Sequence, residues 1–150
     1  MEAPEPPVGA PEEVPSSTAV AGPRYRLDRE SVAVHSAGET VSVVQGPPLR
    51  LPPGSRVGPV YRRTPGGEVV VPTGRLHVRF AEGERAEEQR AELAGIGVVI
   101  DRVPAYAPHT AWVRGARGDI AESLRLVERL AALDGVRNVE PEMLGERAWR

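Results

Sequence analysis

Glu68-Val69-Val70-Val71-Pro72-Thr73-Gly74-Arg75-Leu76-His77-Val78-Arg79-Phe80 decides how this chain is divided. Its second half alternates. Leu76, Val78 and Phe80 fall on one side and Arg75, His77 and Arg79 on the other, the pattern of a strand with one face in a core and one in water. Its first half, Val69, Val70 and Val71, reads as the return strand of a hairpin with Val60-Tyr61-Arg62, turning through Thr64-Pro65-Gly66-Gly67. Between them Pro72-Thr73-Gly74 reads as a separator. A hairpin-rich segment over 24–72 and a second domain over 73–142 follow from that division.

Working outward, residues 82–94 have helix-forming composition with a thin apolar face, closed by Gly95 and Gly97. Val98-Val99-Ile100 opens another strand, and residues 110–114 read as a third after a loop holding Pro104 and Pro108. The best-marked element begins at Asp119, an N-cap with Glu122 three residues on, as a capping box requires. Ile120, Leu124, Val127, Leu130 and Leu133 recur at helical spacing, and Gly135 supplies the left-handed stop. Val136-Arg137-Asn138-Val139-Glu140 is the last strand. The order strand, helix, strand, strand, helix, strand predicts an α+β, ferredoxin-like (βαββαβ) antiparallel sheet with two helices on one face. If the helices cover the Leu76 side, Arg75, His77 and Arg79 look outward. Trp112 then joins them as a partner surface, or lies in the core if its register places it inward.

Upstream, residues 1–23 are rich in Pro, Glu, Ala and Ser, a composition that predicts a disordered leader. Val32-Ala33-Val34 and Val41-Ser42-Val43-Val44 form a hairpin pattern across Ser36-Ala37-Gly38-Glu39, and residues 46–54 are too proline-dense for a central strand.

Composition narrows the function classes. The 150 residues contain no cysteine, which excludes a disulfide framework and a zinc-thiolate site. A net charge of -2, spread along the chain, lacks the footprint of a nucleic-acid binder, and no segment approaches the ~18 apolar residues of a membrane span. No secretory signal is visible at the N-terminus, so a cytoplasmic location at synthesis is the default expectation. His35, His77 and His109 share no metal-ligand spacing, and Gly95-Ile96-Gly97 lacks the rest of a dinucleotide fingerprint. No catalytic constellation and no cofactor site is expected, and the chain does not read as an enzyme.

Two groups of motifs carry a resemblance. Val60-Tyr61-Arg62, Gly66-Gly67, Val71-Pro72-Thr73-Gly74 and the strand from Arg75 to Phe80 form the first; Leu130-Ala131-Ala132-Leu133-Asp134-Gly135-Val136 with Val139-Glu140-Pro141-Glu142 form the second. Together, over residues 57–150, they resemble the N-terminal prosegment of bacterial subtilisin-like serine proteases. The resemblance implies a folding chaperone and inhibitor of such a protease, acting as a separate chain or on a removed C-terminal domain. It implies that the open sheet face of Arg75, His77, Arg79 and Trp112 packs on the enzyme, and that Glu140 and Glu142 cap the N-termini of two enzyme helices. It also implies that an extended tail over 143–150, Met143, Leu144, Gly145, Glu146, Arg147, Ala148, Trp149 and Arg150, lies in the protease cleft as an added strand. The alternative of a different class is a non-inhibitory protein–protein interaction module, a ferredoxin-like adaptor in a bacterial assembly.

Overall fold

Pro72-Thr73-Gly74 lies inside one strand, β5 (Val69–Phe80), so the division at 72/73 falls in the interior of a twelve-residue element. The computed structural model describes residues 9–37, 40–46, 51 and 53–146. Before β5 come β1 (Glu13–Pro15), β2 (Arg24–His35), β3 (Val41–Gln45) and β4 (Arg56–Thr64). After it come a 3₁₀ turn at Ala86–Gln89, α1 (Arg90–Gly95), β6 (Val98–Arg102), β7 (Thr110–Gly115), α2 (Ile120–Arg125), α3 (Val127–Ala131) and β8 (Val136–Leu144). All eight strands belong to one sheet, in the order β1-β2-β4-β5-β7-β6, with β3 added to β2 and β8 to β5. Every pairing is antiparallel.

The fold class expected from the element order is therefore corrected. In place of a ferredoxin-like βαββαβ layer with two helices on one face, the described residues form a mostly β structure, 47% of them in strands and 17% in helices, curled into a half-barrel. The physical cause is β5, whose start pairs with β4 through Tyr61↔Val70 and Arg62↔Val69 while its remainder pairs with β7 and β8. The hairpin segment is thus continuous with the rest of the sheet. Gly74 makes the bend possible: its φ is +93°, a conformation open to glycine, and the pairing with β8 shifts register between Pro72 and Leu76. A Cβ at this position would stand 3.3 Å from Ile120 Cγ1, so the strand also passes close against α2.

The helices are shorter than their sequence patterns. Residues 82–94 hold one turn of 3₁₀ and six residues of α-helix, burying only Ala86 and Leu93, as a thin apolar face dictates. The long amphipathic stretch divides at Leu126 into α2 and α3. Asp119 does cap it, its Oδ1 accepting from the Ala121 N–H at 3.2 Å. Glu122 instead accepts from the Arg117 N–H at 3.3 Å, so the reciprocal half of the capping box goes to the preceding loop. Gly135, with φ +85°, ends the stretch as its position requires.

One apolar cluster spans the whole sheet. Leu76, Val78, Phe80, Val113 and Val139 meet Leu93, Leu124, Val127 and Leu130 from the helices, and Val14, Tyr61 and Val70 join from the N-terminal side. A smaller cluster of Ala33, Val41, Val60 and Val71 packs with Leu144. Where composition predicts a disordered leader, residues 9–23 run along the molecule. Val14 is buried, the buried Tyr61 hydroxyl donates to the Pro11 carbonyl at 2.7 Å, and Arg125 Nη1 donates to the Gly9 carbonyl at 2.8 Å. Asn138 Oδ1 then accepts from Ser17 Oγ, Thr18 N and Ala19 N at 2.8–3.1 Å, clasping the segment to β8.

Candidate functional site

Alternation along β5 and β8 places Arg75, His77, Arg79, Glu140 and Glu142 on the face opposite the helix-packed core. Pairing aligns them across strands. His77 lies opposite Glu140 on β8 and Trp112 on β7, and Trp112 lies opposite Arg102 on β6. A row of carboxylate, imidazole, indole and guanidinium therefore crosses four strands. Of the two registers open to Trp112, the outward one is observed, and the indole is half-buried there. The Arg75 guanidinium carbon sits 4.9 Å from its ring centroid, a cation–π contact worth about 0.5–1 kcal/mol at an exposed site. The His77 ring centroid also lies 4.9 Å from that of Trp112, the planes tilted by 60°. Burial lowers the His77 pKa; Glu140 opposes that shift, and Arg79 and His109 reinforce it. Burial thus favours the neutral form of the imidazole beside Trp112.

The two carboxylates named from the prosegment motif differ in commitment. Glu140 is exposed and accepts from Asn138 Nδ2 at 3.0 Å. Glu142 is only 29% exposed in its side chain, accepts from Thr73 Oγ1 at 2.8 Å and faces Arg75 Nε at 3.8 Å, so it is engaged within the fold. Met143 and Leu144 belong to β8, paired with Pro72 and Val71, and both pack on apolar clusters. The chain leaves the strand at Gly145, and Glu146 follows it. Arg147, Ala148, Trp149 and Arg150 lie outside the described residues.

Beyond Arg75 the same face opens into a cavity of about 540 Å³, lined by His35, Arg56, Thr73, Arg75, Glu142 and Leu144 among others. Arg56 is held there by a bond from its Nη1 to the Gly118 carbonyl at 3.2 Å. The His35 pKa is lowered by burial and further by Arg56. Among the described residues four buried side-chain polar atoms lack a hydrogen-bond partner: His35 Nε2, Ser55 Oγ, Arg75 Nε and Glu122 Oε2. Each such atom costs about 1–3 kcal/mol. Two of them, on His35 and Arg75, belong to residues that line the cavity.

His35, Arg56 and Thr73 carried no binding signal of their own in the sequence, because the cavity is assembled from five separate strands. Its Arg75, Glu142 and Leu144 side was visible, through alternation and the prosegment motif. Among the described residues no group of three or more His, Cys, Asp or Glu is placed to hold a metal ion, and no helix is long and apolar enough to cross a membrane. Set beside known proteins, the chain matches no family model, no curated protein and no solved structure, so its site is read from its own geometry.

Proposed function

We propose that this chain is a protein-interaction module that docks a partner through the open face of β5, β7 and β8. The observation that carries it is Trp112, half-buried between Arg75 and His77 on the side of the sheet away from the helices. Tryptophan and arginine are the residues most enriched among interface anchors, and an indole already held by its neighbours loses little freedom on docking. Glu140 at one end of the row and Arg102 at the other give the face a charge direction, which selects a partner with the opposite order.

A second reading is supported by the end of β8. The strand that carries Glu140 ends at Leu144, and the peptide leaves the sheet at Gly145. In this reading the partner is a subtilisin-like serine protease, the chain inhibits it and assists its folding, and Glu140 is the outward carboxylate of the motif. Because Met143 and Leu144 are part of the sheet, the segment offered to a cleft is 145–150 rather than 143–150.

The test is inhibition and direct binding of a panel of subtilisin-like proteases by the full chain, by Trp112→Ala and by a chain ending at Leu144. Inhibition lost on truncation with binding retained, and binding weakened about tenfold or more by Trp112→Ala, is the expected result. If neither the full chain nor the truncated one binds any protease, the protease reading is overturned. Unchanged binding by folded Trp112→Ala, to whichever partner is captured, would overturn the docking face itself.

A further inference from the structure

We infer that the cavity beyond Arg75 binds a small molecule bearing a carboxylate or phosphate group. This does not rest on the docking role, because Arg56, its second guanidinium, stands apart from the Trp112 row. The cavity's volume of about 540 Å³ lies within the range usual for small-molecule sites. Arg56 and Arg75 border it with one carboxylate, Glu142, which accepts from Thr73 and faces Arg75 at 3.8 Å, leaving Arg56 without a carboxylate among the lining residues. The guanidinium is the side chain whose planar array of donors matches an oxyanion.

Two of the four unpaired buried polar atoms of the described residues, His35 Nε2 and Arg75 Nε, belong to residues that line this cavity, and Arg75 Nε has only the Glu142 carboxylate, at 3.8 Å, near it. Polar atoms in a protein interior are ordinarily paired, so these two mark a place where further hydrogen-bonding groups are wanted. A second cavity, of about 340 Å³, is also bordered by Arg56, Thr73 and Arg75, together with Arg114, whose Nε donates to Asp101 at 2.8 Å. The cationic wall is therefore shared by two adjoining spaces, and a ligand with its anionic group on Arg56 and Arg75 can extend into either. The free edge of Glu142 remains to accept from a donor on the ligand.

The experiment titrates the full chain with inorganic phosphate and, separately, with malonate, each against chloride at equal ionic strength, following arginine Nε–H signals by NMR. Saturable shifts confined to Arg56 and Arg75 are expected with one of the two anions. Saturation by phosphate assigns the ligand to phosphate esters, and saturation by malonate assigns it to carboxylates. Arg56→Gln, at an exposed position that does not threaten folding, should weaken the response about tenfold or more. Shifts that grow linearly over many arginines, or equal affinity in Arg56→Gln, would overturn the site. Arg102→Ala, in the docking row but two strands away from Arg75 on β6, should leave anion binding intact, so failure of the cavity and failure of the docking face are told apart.

Discussion

The two parts of the sheet joined by β5 solve the same problem differently. From Arg75 onward, β5 to β8 lay Leu76, Val78, Phe80, Val113 and Val139 under helices that supply Leu93, Leu124, Val127 and Leu130. Before Arg75 no helix intervenes between strands among the described residues, and the packing relies on small side chains, Ala33, Val41, Val60 and Val71, together with Tyr61 and Val70 reaching into the main core. Burial scales with apolar area, so the second part must hold more of the stability. It also carries the open face, because helices cover only one side of its sheet.

That contrast can be broken or sharpened by substitution. Leu76→Ala, at a fully buried position, should cost about 2–5 kcal/mol in urea unfolding, against about 2 kcal/mol for Val60→Ala in the smaller cluster. Both should lower a single transition seen alike by circular dichroism and fluorescence. Two separate transitions would mean that β1 to β4 fold as their own unit and that the shared core is not energetically shared. Gly74→Ala addresses the junction itself. Its positive φ and the nearby Ile120 predict a loss of about 1–3 kcal/mol, with raised hydrogen exchange on both sides of the bend. Exchange raised on one side only would show that the bend does not couple the two parts.

The smallest expected effect is on pH dependence. Burial is the leading cause that lowers the pKa of both His35 and His77 below 6.5, one histidine in each part of the sheet. As pH falls, the unfolded chain therefore takes up protons before the folded one. Stability from these groups is full above about pH 6.5 and is lost as pH falls through the folded values. Urea midpoints should drop between about pH 7.5 and pH 5.5, above the range in which carboxylates titrate. His35→Gln with His77→Gln should flatten that slope. An unchanged slope would remove the histidines from the account.

The face of Arg75, His77 and Arg79 was legible because alternation is local: two residues per repeat decide which side each side chain takes. The helical stretch after Asp119 was legible for the same reason, through its apolar spacing and the glycine that stops it. Its break at Leu126 was not, since helix content in short segments is set by what the apolar face packs against. Glu142 shows the limit from the site's side. Its residue type and motif pointed outward to a partner, yet Thr73 and Arg75, brought near only by the β5–β8 pairing, engage it inside the fold.

By itself the sequence determined strands, turns, the capped helical stretch and the outward set on β5, all properties of neighbours within a few residues. Only the tertiary structure decided that Pro72-Thr73-Gly74 bends one strand instead of separating two domains, and that residues 9–23 lie against β2 and β8. It alone brought His35, Arg56, Arg75 and Glu142 to one cavity. Strand pairing joins residues far apart in the chain, and the free energy that selects a pairing comes from the surface all the strands bury together, which no local pattern contains.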